Sequence, residues 1–131
     1  MQSGHIKTKV KGHYTVTTNT ETNYVTLTPR NAEHKFTLIW LHGLGDTAHG
    51  FTSTFTDTRI GMVPPTCKVV LPTAPIRKVT CNGGVKMTSW FDIFSTDEPI
   101  TLTANEAREL VSQEEIRDSV RIVTEIVHAE V

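Results

Sequence analysis

The sequence predicts an α/β domain, and three observations carry this prediction. Residues 36–41 and 68–71 are short, almost continuously apolar runs, which is the pattern of strands in a sheet covered on both faces. A threonine-rich segment before them favours further strands, and apolar residues at helical spacing after Ser112 predict a long helix. We therefore expect an incomplete sheet made of an N-terminal hairpin, the first parallel strands and their flanking helices.

The first predicted element is a β-hairpin at about residues 10–30. Threonine occupies 22 of the 131 positions, and it suits strands better than helices. Residues 13–18 and 24–28 are rich in β-branched and aromatic side chains, and the polar residues 19–23 between them predict a turn. The apolar run 36–41 comes next, and we expect it to be buried on both faces.

The middle of the chain predicts a short helix, one further strand and a long loop. Residues 50–59 favour a short helix, and Pro64-Pro65 breaks the chain before the strand at 68–71. Residues 72–87 are predicted to be a loop because they contain Pro75 and a Gly-Gly pair.

Two helix starts are predicted near the C-terminus. Thr103 and Glu106, like Ser112 and Glu115, have the spacing of a capping box. Six apolar residues after Ser112 form one stripe of a helix of four to five turns, which we expect to pack against the core: Ile116, Val120, Ile122, Val123, Ile126 and Val127.

Composition excludes several classes of function. A net charge of −1 and a pI near 6.6 give no electrostatic reason to expect binding to nucleic acid. No apolar run approaches the roughly 18 residues of a membrane span, and no secretory signal is visible at Met1. We expect an intracellular, most simply cytoplasmic protein, while Lys7, Lys9 and Lys11 leave an organellar signal open. Cys67 and Cys81 are expected to be unpaired thiols.

The residues after the first apolar run have the layout of an oxyanion-hole loop. Residues 36–41 lead directly into His42, Gly43, Leu44, Gly45 and Asp46, a turn that can present backbone N–H groups to a ligand. The sequence contains no Gly-x-Ser-x-Gly, the motif that presents a nucleophilic serine in such folds. Neither Ser53 nor Ser89 has the context of a nucleophile.

Three blocks of sequence resemble the acyl-protein thioesterase/carboxylesterase family of α/β-hydrolases. Residues 41–51 (Leu-His-Gly-Leu-Gly-Asp-Thr-Ala-His-Gly-Phe) form the first block, and residues 71–80 (Leu-Pro-Thr-Ala-Pro-Ile-Arg-Lys-Val-Thr) form the second. Residues 89–93 (Ser-Trp-Phe-Asp-Ile) form the third. The blocks occur in the order and at the spacing found in the family, and the resemblance covers about residues 36–131.

The resemblance implies hydrolysis of thioesters or esters of long acyl chains, such as palmitoylated protein cysteines and lysophospholipids. It implies that the Leu44 N–H is one oxyanion donor and that Gly43 and Gly45 let the backbone approach the acyl group. Trp90 and Phe91 would lie near an acyl-binding groove, although ordinary packing explains them equally well. The side chain of His42 would hold the loop rather than act as the catalytic base.

Two further points concern side chains that could be mistaken for a site. Asp46 and Asp92 are expected to brace turns through hydrogen bonds to backbone N–H groups rather than to act as an acid pair. We expect no metal and no cofactor, because the remaining histidines show no ligand-like spacing: His5, His13, His34, His49 and His128.

The chain also departs from the family pattern. The family's serine stands in a Gly-Phe-Ser-x-Gly elbow, and neither it nor the triad aspartate and histidine can be assigned here. Residues 1–131 are therefore expected to be the N-terminal portion of one α/β-hydrolase domain, inactive alone, with a protein partner that completes or covers the sheet. The alternatives are a non-catalytic structural subunit inside a larger assembly and simple binding of acyl groups near Trp90 and Phe91.

Overall fold

The computed structural model describes residues 4–96 and 103–131, and the chain divides into two compact units. The N-terminal unit is Met1–Thr73 and the C-terminal unit is Ala74–Val131. None of the helices in the described ranges is long and apolar enough to cross a membrane.

A mixed five-stranded sheet forms the N-terminal unit, with strand order β1-β2-β3-β5-β4. β4 and β5 are parallel, and the other neighbouring pairs are antiparallel. A 3-10 helix (Ala48–Phe51) and the short α1 (Thr52–Thr56) lie between β4 and β5 in sequence. The strands are β1 (Ile6–Lys11), β2 (Tyr14–Asn19), β3 (Tyr24–Pro29), β4 (Phe36–Ile39) and β5 (Cys67–Leu71).

One face of this sheet carries the core of the N-terminal unit. The predicted strands at 13–18 and 24–28 are confirmed as β2 and β3, and their buried residues alternate with partly exposed ones, as expected along a strand: Tyr14 and Val16, and Val25 and Leu27. The hydroxyl of Tyr14 donates a hydrogen bond of 2.7 Å to the carbonyl of Cys67, which satisfies its polar end inside the core. The core cluster consists of Tyr14, Val16, Val25, Leu27, Ala48, Phe55, Cys67, Val69 and Leu71.

β5 forms as predicted. The prediction that residues 36–41 are buried on both faces is wrong. β4 stands at the end of the strand order, and the exposed fractions of Phe36 and Leu41 are 59% and 43%. An apolar run shows that a strand can be buried, whereas its actual burial depends on neighbours that the run does not encode. β1 was not predicted, although Ile6, Thr8 and Val10 alternate with lysines in the manner of an edge strand.

Within the C-terminal unit, a hairpin replaces most of the loop predicted at 72–87. β6 (Ile76–Val79) pairs antiparallel with β7 (Val85–Thr88). Gly83 and Gly84 have φ angles of 71° and 78°, so these glycines turn the chain back instead of marking a loop. A 3-10 helix (Thr80–Asn82) lies between the strands in sequence.

Both predicted helix starts are confirmed. The hydroxyl of Thr103 accepts a hydrogen bond from the Glu106 N–H before α2 (Ala104–Arg108). Ser112 accepts the corresponding bond from the Glu115 N–H before α3 (Gln113–Glu130). The core packing expected for the apolar stripe of α3 is wrong, because Ser119 is the only buried residue of that helix. Helical spacing shows that one face is apolar but cannot supply the surface that would cover it.

Candidate functional site

The loop after β4 contains a tight turn from Gly43 to Asp46. The Asp46 N–H donates a hydrogen bond of 3.1 Å to the Gly43 carbonyl, and Gly45 has a φ of 80°. A positive φ at the third of four turn residues defines a type II turn, which requires glycine at that position. The Asp46–Gly43 hydrogen bond and the positive φ of Gly45 therefore determine the shape of this turn.

The side chain of His42 is anchored inside this loop. His42 is 3% exposed, and its Nδ1 lies 2.7 Å from the Gly43 carbonyl oxygen. Because a carbonyl can only accept, Nδ1 must carry the proton of this hydrogen bond. This contact fits a histidine that braces the loop, and that role stays a prediction.

Gly43 and Leu44 are both exposed residues of this turn. A Cβ added at Gly43 would lie 3.3 Å from Asp46 Oδ2, a tight contact that glycine avoids. The exposed fraction of Leu44 is 41%. Its N–H donates no hydrogen bond to any residue in the described part of the chain. The N–H of Leu44 is thus able to donate a hydrogen bond to an incoming oxygen.

Thr73 fixes the far end of the loop, a role that sequence analysis missed. Its hydroxyl accepts a hydrogen bond of 2.9 Å from the Ala48 N–H and donates one of 2.6 Å to the Asn23 carbonyl. This side chain links the 3-10 helix to the turn before β3. A threonine after a strand gives no signal of such a distant contact, since both partners are backbone atoms.

Three aromatic side chains pack together at the start of the loop. The indole of Trp40 lies 5.6 Å from the ring of Phe51 and 5.5 Å from that of Phe55, measured between ring centroids. Both distances are in the range of favourable aromatic pairs. The loop therefore begins on a residue that packs against the helices that follow it.

Within the C-terminal unit, polar contacts hold the segment from Ser89 to Phe94. The hydroxyl of the buried Ser89 donates a hydrogen bond of 2.6 Å to the Phe91 carbonyl, so it is occupied by backbone. Both oxygens of Asp92 accept hydrogen bonds of 2.7 Å, one from the N–H and one from the hydroxyl of Thr80. Asp92 thus braces a turn, as predicted.

Arg77 and α3 hold the same segment from the other side. The Nε of Arg77 donates a hydrogen bond of 3.2 Å to the Ser89 carbonyl, and its Nη2 donates one of 2.6 Å to the carboxylate of Asp118. Glu115 accepts the Asp92 N–H at 2.7 Å, and the hydroxyl of Ser119 donates to the Trp90 carbonyl. Sequence analysis missed these residues, apart from the capping role of Glu115. The side chains of Trp90 and Phe91 are half-buried, and their place beside an acyl groove stays a prediction.

The network lowers the pKa of two carboxyl groups. Burial opposes ionisation of Asp92, but the hydrogen bonds from Thr80 and the charge of Lys78 outweigh it and lower the Asp92 pKa. The hydrogen bonds from Arg77 and Arg121 lower the pKa of Asp118. Both groups are therefore anionic at neutral pH. No cluster of three or more His, Cys, Asp or Glu side chains suited to a metal ion occurs within the described ranges.

The mixed sheet with a glycine turn directly after a parallel strand agrees with the α/β-hydrolase fold that the sequence predicts. The match to a family model makes this assignment specific. Residues 22–131 match the model of the Phospholipase/Carboxylesterase family, and the chain belongs to that family.

Curated relatives and solved structures agree with this family. Acyl-protein thioesterase 1 of Neurospora crassa is 39% identical over 98 residues, which cover 72% of this chain and 40% of the relative. A probable inactive carboxylesterase of Oryza sativa is 45% identical over 73 residues, covering 49% of this chain and 25% of that protein. The crystal structure of Zea mays acyl-protein thioesterase 2 has a TM-score of 0.57 at 28% identity, covering 79% of this chain and 38% of the maize chain. This chain thus spans well under half the length of these relatives.

Proposed function

We propose that this chain supplies the oxyanion-binding loop of a serine hydrolase that cleaves acyl thioesters or esters. The observation that carries the proposal is the type II turn from Gly43 to Asp46, in which Leu44 is exposed and its N–H donates no hydrogen bond within the described residues. When a serine attacks a thioester carbonyl, the oxygen gains negative charge, and a fixed N–H at that point stabilises the transition state. In this fold the second N–H donor belongs to the residue after the nucleophile.

The resemblance to acyl-protein thioesterases supports the choice of substrate class. The Neurospora crassa relative is named for this activity and is similar over most of the present chain. Trp90 and Phe91 are proposed to border the acyl chain, because half-buried aromatic side chains suit an apolar substrate. His42, Gly43, Gly45 and Asp46 are proposed to shape the loop rather than to react.

We propose that the 131 residues do not react with substrate alone. None of the six serines stands in a Gly-x-Ser-x-Gly motif, and the hydroxyl of Ser89 is bonded to the Phe91 carbonyl. The nucleophile would have to come from another segment or chain. The end strand β4, on which Phe36 is exposed, is the proposed place where a completing partner joins the sheet.

Reconstitution tests this proposal. The 131-residue chain is assayed with a p-nitrophenyl ester and a fluorophosphonate probe, alone and mixed with a polypeptide that carries the family's Gly-Phe-Ser-x-Gly elbow and the remaining triad. We expect no labelling of either polypeptide alone, and labelling plus ester hydrolysis in the mixture. Stoichiometric labelling of a serine in the isolated chain would contradict the proposal.

A second candidate is a non-catalytic subunit in a larger assembly. The similarity to a rice protein named as a probable inactive carboxylesterase favours it, as do Val120 and Val127 on α3, which are 59% and 41% exposed. Isolation of the native assembly separates the candidates. A partner with a serine elbow next to β4 supports the hydrolase, and an unrelated partner on the same edge supports the structural subunit.

An intracellular, cytoplasmic setting is also part of the proposal. Cys67 and Cys81 are both free thiols, and unpaired cysteines are common in reducing compartments. Microscopy of a C-terminal fluorescent fusion tests this setting. A diffuse cytoplasmic signal is expected, and an exclusively organellar signal would contradict it.

A further inference from the structure

A cavity of about 390 Å³ in the N-terminal unit is separate from the loop after β4. Its lining comes from β1, β2, the turn before β3 and the 3-10 helix Ala48–Phe51. This volume is in the range of small-molecule sites. No carboxylate is among the lining residues, whose polar members include Lys7, Lys9, Thr18, Asn23 and His49.

The register of β1 and β2 sets the direction of the two lysines. Lys7 lies opposite Thr18 and Lys9 lies opposite Val16, and residues directly opposite each other share a face of the sheet. Val16 is 2% exposed and belongs to the core, so both lysines lie on the core side of the edge strand. Val16 gives the cavity an apolar floor, along which the lysine stems can pack.

Among the described residues, no acidic side chain pairs with the two lysines of this cavity. Within residues 4–96 and 103–131, neither Lys7 nor Lys9 forms an ion pair or a side-chain hydrogen bond. Lys11 is on the same face but lies opposite Tyr14, outside the cavity. Its positive charge helps to lower the pKa of Asp57. Two ammonium groups on one side of a strand repel each other, and a bound anion removes that repulsion.

We propose that this cavity binds a phosphate monoester, with Lys7 and Lys9 donating charge-assisted hydrogen bonds to the phosphate oxygens. The imidazole of His49, the hydroxyl of Thr18 and the amide of Asn23 supply further polar contacts for the phosphate or the body of the ligand. The phosphate belongs either to a soluble organic phosphate or to a lipid headgroup, and the chemistry of recognition is the same.

This site does not depend on the proposed hydrolase function. The family match begins at residue 22, whereas Lys7, Lys9, Val16 and Thr18 precede it. The extra strands β1 and β2 therefore build a site that the matched family region alone would lack. Lysines on an edge strand also discourage edge-to-edge association, a role that needs no ligand.

Nuclear magnetic resonance titration of the 131-residue chain separates these roles. The probes are inorganic phosphate, glycerol 3-phosphate, and phosphatidylcholine vesicles with or without phosphatidic acid. We expect saturable shifts of the backbone amides of Lys7, Lys9, Thr18 and His49. The double variant Lys7→Gln/Lys9→Gln should weaken binding by at least about tenfold, since it removes charge-assisted hydrogen bonds.

The control is Lys11→Gln, which removes one positive charge from the same strand and face outside the cavity, as each of the single variants Lys7→Gln and Lys9→Gln does at the cavity. Binding that survives in this control and falls in the double variant supports the site. Soluble probes that bind identify a free organic phosphate as the source, and binding to phosphatidic acid vesicles alone identifies a headgroup. Equal weakening by Lys11→Gln, or no binding of any probe, would overturn the proposal.

Discussion

In the N-terminal unit, Val16, Leu27 and Val69 are at most 2% exposed, whereas the C-terminal unit buries mainly polar side chains. Among the described residues of the latter, Ala74 and Val79 are the buried apolar side chains, beside Ser89, Asp92 and Ser119. The first unit therefore depends on hydrophobic burial, which is nondirectional and insensitive to pH. The second depends on hydrogen bonds and ion pairs, which lose their value when one partner is removed or neutralised.

The largest effect is expected from truncation of the apolar core. Leu27 is 0% exposed, so Leu27→Ala should lower the free energy of unfolding by about 2–5 kcal/mol, because it leaves a cavity. Urea denaturation followed by circular dichroism measures this change. The control is Val120→Ala at a position that is 59% exposed, which should shift stability by less than about 0.5 kcal/mol. Equal effects of the two substitutions would contradict the comparison.

A smaller effect is expected in the polar network. Asp92→Ala leaves the Thr80 N–H and hydroxyl without their acceptors, and should cost about 1–3 kcal/mol of stability. The nuclear magnetic resonance signal of the Trp90 indole during urea denaturation measures it. Asp57→Ala is the control, since it removes a surface pair with Arg59 and should destabilise the chain less than Asp92→Ala does. A larger loss in the control would refute this ranking.

The turn after β4 should respond to a single methyl group. Gly45→Ala places a Cβ at a φ of 80°, which should destabilise the N-terminal unit by roughly 1–2 kcal/mol. Gly50→Ala is the matched control, because a Cβ there meets no atom within 4 Å. Thermal denaturation of both variants tests the difference. An unchanged melting temperature for Gly45→Ala would show that alanine fits this turn without strain.

Acid should affect the C-terminal unit first. The pKa of Asp92 lies below its ordinary 3.8, so Asp92 contributes stability that is present above that pH and is lost as the pH falls through the lower native value. Asp118 beside Arg77 acts with the same sign, as does the exposed Asp57 beside Arg59 in the N-terminal unit, so the expected difference between the units rests on the buried Asp92. Below about pH 4, the Trp90 indole signal should therefore lose its native shift before that of Trp40.

The Asp92→Ala variant is the control for this titration, since it lacks the carboxylate and should lose most of the early change. Simultaneous loss of both indole signals in the unsubstituted chain would argue against different stabilisation of the two units.

Local patterns predicted much of this structure. Enrichment in β-branched and aromatic residues predicted β2 and β3, and the spacing of Ser112 and Glu115 placed the start of α3 correctly. The glycine turn after residues 36–41 was also visible in the sequence, because positive φ leaves a direct mark on composition.

Features that depend on distant partners could not be predicted in this way. The exposure of Phe36 and of the stripe on α3 depends on which surfaces lie beside them. The contact of Arg77 with Asp118 joins residues 41 positions apart, and the bond of Thr73 with Asn23 spans 50. Neither the spacing nor the residue type of these pairs indicates a contact.

The central claim, that the Leu44 N–H stabilises an oxyanion, has one direct test in the reconstituted enzyme. Leu44 is the second residue of a type II turn, where proline is favoured, so Leu44→Pro removes the N–H while keeping the turn. Leu44→Ala shortens the side chain but keeps the N–H and sets the baseline. We predict that kcat for ester hydrolysis is about 10²–10³-fold lower for Leu44→Pro than for Leu44→Ala. Equal kcat values for the two variants would contradict the claim.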